Sequence, residues 1–136
     1  MKDVFDMVTD VRSLINIPAI TNLIDGKVYP SIRPDGSVKS DIVVNGLNIT
    51  NTQDQIGSGN INVFVPKISS GGVLVNDQAR IMSICKAISS YVNDQYRASF
   101  RLKVMGASSL ERDTDGSYFG NIRYKYYSLQ SDFKQI

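Results

Sequence analysis

Four cations are spaced two apart in two short alternating segments. Arg101 and Lys103 fall on one side of the run Ala98 to Met105, and Arg123 and Lys125 on one side of Tyr118 to Leu129. Alternate side chains of an extended chain point the same way, so pairing the two runs would bring all four charges onto one sheet face. Such a face can meet phosphates or carboxylates, contacts that need only Lys and Arg and read no sequence. Three roles fit it: a solvated face, a subunit interface with a neighbour's carboxylates opposite, or a lumen surface facing DNA.

Other residues with chemical potential have plainer readings. Tyr118, Tyr124, Tyr126 and Tyr127 are the side chains on which bases could stack. Alternation, however, sends Tyr124 and Tyr126 with Ile122 toward the core or a subunit interface. Glu111, Asp113 and Asp115 lie in one polar segment, but the spacing lacks the rest of a calcium loop, so a solvated loop is the better reading. Cys85 sits on an apolar helical stripe, where a thiol acts as a small hydrophobe.

The chain has no histidine and a single cysteine. Catalytic triads built on histidine, imidazole-ligated zinc and thiolate clusters are therefore excluded. Neither a Walker-type phosphate loop nor a G-x-G-x-x-G turn occurs, and Gly57-Ser58-Gly59 and Gly71-Gly72 read as loop punctuation. No acid and base stand out as a catalytic pair. The expectation is a protein that is not an enzyme and takes no cofactor and no metal.

The 136 residues suit one domain, 1–136, with 42% apolar and 21% charged residues, a globular balance. A formal net charge of +2 falls short of the strong basic excess of a dedicated nucleic-acid binder. Met1 to Val11 lacks the apolar core of a signal peptide and no run approaches the roughly 20 apolar residues of a membrane span, so no membrane is expected.

The element that must organise all this is Asn76 to Arg97. Ile81, Ile84, Cys85, Ile88 and Val92 recur every three or four residues and form one helical stripe, with Asn76 as N-cap. An earlier helix, Asp3 to Asn16, carries Val4, Val8, Val11 and Ile15, widened by Phe5 and Leu14, and stops before Pro18. A helical turn at Ala19 to Leu23 and a turn at Asp25-Gly26 follow. Between the helices lie strands at Lys27 to Ile32, an edge because of Pro30, at Asp41 to Thr50 with a bulge or bend at Gly46, and at Asn60 to Pro66. Ile61, Val63 and Val65 should meet a helix. The two cationic strands close the chain, and Gln130 to Ile136 are expected to be loose. The prediction is α+β: an antiparallel sheet of four to five strands with two main helices on one face, in the order α-β-β-β-α-β-β. The polar segments Asn51 to Gly59, Lys67 to Val75 and Gly106 to Ser117 are the candidate contact loops.

Several of these stretches together resemble a known family. They are Val28-Tyr29-Pro30 with Arg33-Pro34, then Asp41 to Asn45, then Gly59 to Pro66 running into the long helix, then Arg112-Asp113 and the closing strand Tyr118 to Tyr127. The chain resembles the tail-terminator, or tail-completion, proteins of tailed bacteriophages and related head-tail connector components over nearly its whole length. The resemblance implies a structural protein of the virion neck or tail, assembled in the host bacterial cytoplasm. It implies a homo-oligomeric ring, commonly a hexamer, between the tail tube and the connector. It also implies non-specific passage of genomic DNA through the ring. The alternative is a small nucleic-acid-binding or protein-binding α+β module. Arg101, Lys103, Arg123 and Lys125 are the candidate interface or lumen-facing residues.

Overall fold

The computed structural model describes residues 1–129; the expectation for Gln130 to Ile136 lies outside them. The fold is α+β. Helix α1 (Val4–Ile15) and a short helix α2 (Pro18–Thr21) precede strands β1 (Val28–Pro30), β2 (Asp41–Ile49) and β3 (Ile56–Phe64). A separate hairpin of β4 (Ile68–Ser70) and β5 (Val73–Val75) leads to helix α3 (Gln78–Val92). The chain then forms β6 (Gln95–Tyr96), β7 (Phe100–Val104), β8 (Ser109–Arg112) and β9 (Tyr118–Ser128).

The first helix starts where acid side chains can cap it. Asp3 accepts from the Asp6 amide while Asp6 accepts from the Asp3 amide, a reciprocal box that satisfies two otherwise orphan donors. The long helix starts one residue later than expected, with Asp77 rather than Asn76 as its cap. Asn76 instead accepts from the Tyr118 amide. The helix also ends earlier than Arg97, because Asp94 turns left-handed (φ 60°) directly after the Asn93 cap and redirects the chain into β6. Asp is among the few residues that enter that region at small cost.

The main sheet runs β1-β2-β3-β9-β7-β6, and β8 pairs with β9 beside β7. The sheet is mixed and larger than predicted, with seven strands. Edge strand β1 runs parallel to β2, with Tyr29 opposite Val43. The remaining pairs are antiparallel. The expected irregularity at Gly46 is present as a register shift between Gly46 and Asn48.

Three segments read as loops prove to be strand. Gly57, Ser58 and Gly59 lie inside β3. Small residues are needed there because a Cβ at Gly57 would strike Met7 Sδ, and one at Gly59 would strike the Asn45 carbonyl and the Tyr124 hydroxyl. The segment Lys67 to Val75 holds the β4–β5 hairpin, in which Ser70 faces Val73 and the turn is Gly71-Gly72, both at positive φ. That turn geometry matches the twist of the flanking strands. Within Gly106 to Ser117 lies β8. Val104 faces Tyr124 and Ser109 faces Asn121, so four residues, Met105 to Ser108, span the place of two on β9. Strands β7 and β8 are in effect one strand broken by a wide bulge, and β8–β9 closes over Asp113 to Ser117.

Both α1 and α3 pack on one face. Ile42, Val44, Ile61, Val63, Leu102, Ile122, Tyr124 and Tyr126 point to that face and are fully buried. From α3 they meet Ile81, Ile84, Cys85, Ile88 and Val92, and from α1 Met7, Val8, Val11, Leu14 and Ile15, in one cluster. The tight crossing of α3 falls at Gly120, where a Cβ would lie 2.7 Å from Ile81 Cγ2. Phe5 does not widen the α1 stripe as predicted: it is 74% exposed, and Met7 takes the core place. Position 5 turns away from the sheet while 4, 7, 8 and 11 face it.

Candidate functional site

The site is the sheet face that neither helix covers. Odd positions of β7 and β9 and even positions of β3 point to it. The register sets Lys103 directly against Lys125, Arg101 against Tyr127, and Arg123 against Asn60. The structure thus brings all four predicted cations together on one face.

Arg101 is already engaged. Its Nε and Nη2 both donate to one oxygen of Asp94, at 2.9 and 2.6 Å. The guanidinium also lies over the Tyr96 ring at 5.0 Å and the Tyr127 ring at 5.4 Å. The hydrogen bond to Asp94 raises its pKa further above the ordinary range. Lys103, Arg123 and Lys125 form no ion pair among the described residues. Lys125 lies 5.6 Å from the Tyr127 ring centre. Like charges set directly across a strand pair destabilise it, so an anion laid over this face would relieve a repulsion built into the fold.

Beside the cations runs a band of amides. Asn121 Nδ2 donates to Asn60 Oδ1 (3.0 Å) and Asn62 Oδ1 (2.8 Å), and Asn60 Nδ2 donates to Asn45 Oδ1 (3.3 Å). These cross-strand bonds fix the side chains across β2, β3 and β9 and leave a polar, uncharged floor. Sequence alternation alone could have placed these asparagines together once the β2–β3–β9 order was known.

The far end of the face is not open. The segment Ser31 to Ser37 folds back over it, held by Asp41, which is fully buried. That carboxylate accepts from Ser37 Oγ at 2.5 Å, Arg33 Nη1 at 3.3 Å and the Lys27 amide at 3.3 Å. Arg33 lies 4.1 Å over the Phe64 ring, and Phe64 stacks on Phe119 at 5.2 Å. Asp41 was read only as the first residue of a strand. A charged residue opening an apolar run was the available signal.

The predicted tyrosines divide as alternation requires. Tyr124 and Tyr126 are buried, and burial pushes both phenols up from their ordinary range. Tyr124 donates to the Asn45 carbonyl at 2.8 Å. Tyr126 donates to Asp10 and accepts from Lys2 Nζ at 2.8 Å. Lys2 also pairs with Asp10 at 2.8 Å, and its backbone is held on both sides by the buried Gln55 side chain. This clamp ties the N-terminal segment to the core and was missed in the sequence, where Tyr126 lies more than a hundred residues from Lys2 and Asp10. Tyr127 remains on the uncovered face beside Arg101.

Asp113 and Asp115 are occupied in their own turn. Asp113 accepts from the Thr114 amide at 2.7 Å, and Asp115 from Ser117 N and Oγ at 2.9 and 2.6 Å. The Ser117 bonds hold the Asp115 carboxyl below its usual pKa. Among the described residues no three His, Cys, Asp or Glu side chains gather as a metal site, and no helix is long and apolar enough to cross a membrane. Cys85 is buried, and desolvation pushes its thiol up to about 11.

No protein-family profile and no curated protein matches the chain.

Proposed function

We propose that the chain is a structural, ring-forming protein of a phage neck or tail, which completes the tail and joins it to the head-proximal connector. The observation that carries this reading is the β4–β5 hairpin. All six of its residues are exposed, Ile68, Val73, Leu74 and Val75 among them. An isolated two-stranded hairpin is at best marginally stable in water. An exposed apolar arm of this kind marks a protein-interaction surface rather than a part of the monomer's core.

The uncovered sheet face supports the same reading. Its amide floor and the three cations that form no ion pair among the described residues suit contact with a neighbour's carboxylates or loose, sliding contact with DNA in a lumen. Phosphate contacts of this sort carry no sequence information, which suits a genome passing through. The family resemblance supplies the phage assignment, and the hexamer remains part of that proposal. The test is the composition of purified virions of a phage that carries this gene. The chain present at a few copies per particle agrees with a single ring. Its absence from the particle contradicts the reading.

A further inference from the structure

The uncovered sheet face changes sign along its length. Lys103 and Lys125 stand opposite one another, and Arg123 lies two residues from Lys125 on the same side of β9, a step of roughly 7 Å. Lys103 and Arg123 are exposed and Lys125 is half-buried. None of the three forms an ion pair among the described residues, whereas Arg101 beside them is neutralised by Asp94. The acids of this face stand at its other end. Glu111 is paired opposite Phe119, which is roughly 20 Å from Lys125 along β9. Asp35 and Asp113 line a hollow there with Asn62, Phe64 and the Ser31 to Gly36 segment.

The three cations need an anion that reaches all of them, and a second copy of the chain is poorly equipped to bring one. Among the described residues Asp3, Asp6 and Asp77 cap helices, Asp10 and Asp94 hold Lys2 and Arg101, and Asp41 is buried. Asp113 is spent on Thr114 in its own turn. The acids whose side chains make no bond among the described residues, Asp35, Asp54 and Glu111, lie in three separate segments. A repeating anion on one thread has no such difficulty. Its successive charges can follow β9, where Arg123 and Lys125 repeat along the strand, and it needs no shape beyond a narrow extended chain. Lys and Arg meet phosphate oxygens in this way without reading sequence.

We infer that the Lys103–Lys125–Arg123 end of the uncovered face binds the phosphodiester backbone of a nucleic acid. One phosphate lies between Lys103 and Lys125, where it relieves their repulsion, and another lies on Arg123. The acids at the far end of the face limit the track to a few phosphates, so binding is weak, sensitive to salt and indifferent to sequence. The inference rests on the ring reading above in one respect, that it selects DNA over a neighbour's carboxylates for this face. The contact itself belongs to a single chain and is measured without a ring.

Titration of the full chain with fluorescent oligonucleotides, duplex and single-stranded, over a range of salt tests this. Affinity should fall with log salt at a slope of about −2 to −3, as three cations on phosphates require, and should be the same for scrambled sequences. Lys103→Gln with Lys125→Gln removes a like-charge pair, so the fold should survive by circular dichroism. It should weaken binding at low salt by roughly tenfold per cation and reduce the slope by about two. Arg123→Gln alone should reduce the slope by about one. Lys39→Gln with Lys86→Gln lowers the net charge equally away from β7 and β9 and should leave binding near that of the parent. Either nucleic acid bound in this pattern supports the inference. No binding of either at low salt, or an equal loss in the Lys39 and Lys86 pair, overturns it. Polyglutamate bound as tightly as the nucleic acids overturns it in favour of a partner's carboxylates. Each of these results leaves the ring reading to its own test, because light scattering without nucleic acid reads assembly separately.

Discussion

Lys103 and Lys125 stand directly opposite one another across β7 and β9, on the face of the sheet that no helix covers. The fold therefore holds a like-charge pair where an opposite-charge pair would be more stable. Changing Lys125→Glu should stabilise the isolated chain by roughly 0.2–1 kcal/mol, the usual range for a favourable cross-strand pair. The gain should shrink as salt rises, since exposed pairs are screened. Thermal melts at low and high ionic strength read this directly. No gain at low salt would mean that the two ammonium groups already avoid one another.

The crossing of α3 over β9 depends on Gly120, where any side chain would meet Cys85 Sγ and Ile81. Gly120→Ala should cost about 1–3 kcal/mol, the usual penalty for overpacking a closed core. Urea unfolding should show a lower midpoint with an unchanged slope. Wild-type stability in this variant would place the helix farther from the sheet than described.

Asp41 anchors the segment that covers the far end of the uncovered face. Asp41→Ala removes the partner of Arg33, Ser37 and the Lys27 amide at a buried position. The expected loss is about 3 kcal/mol, with faster proteolysis within Ser31 to Ser37. Unchanged stability together with unchanged protection of that segment would show that the Phe64–Arg33 contact suffices without it.

Alkaline pH should destabilise the fold. Cys85 has its folded-state pKa raised from the ordinary 9.0 to about 11. The unfolded chain then loses its thiol proton first, so stability is full below about pH 9 and falls as pH rises toward 11. The slope is up to about 1.4 kcal/mol per pH unit from this group. Tyr124 and Tyr126, also shifted upward, add to the loss above pH 10. Unfolding free energies from pH 7 to 11 for the parent and Cys85→Ala separate the thiol's share. A flat profile in the parent would contradict the burial of these groups.

What could be read in advance follows from which forces act locally. The stripe of Ile81, Ile84, Cys85, Ile88 and Val92 and the alternation in β7 and β9 are periodic signals, and burial follows them closely. The four cations meet because alternation and pairing are both short-range rules. The glycines of β3 were misread because their role is set by Met7 and Tyr124, which approach from distant parts of the chain. Strand β8 was hidden by a bulge that breaks the alternation. The parallel pairing of β1 leaves no local mark, since a three-residue edge strand reads alike in either direction. Phe5 looked like core because α1 has apolar residues on more than one side, and only the docked sheet decides which side is buried. The exposed hairpin follows from Gly71-Gly72, a turn signal first taken as the tip of a loop.

The central claim is ring assembly, and the direct measurement is light scattering of the purified chain over a concentration series, with the assembled peak imaged in negative stain. The account predicts a discrete closed ring with a central hole, its mass a whole multiple of the 15.1 kDa chain. A discrete two-fold dimer with no ring at any concentration would contradict it.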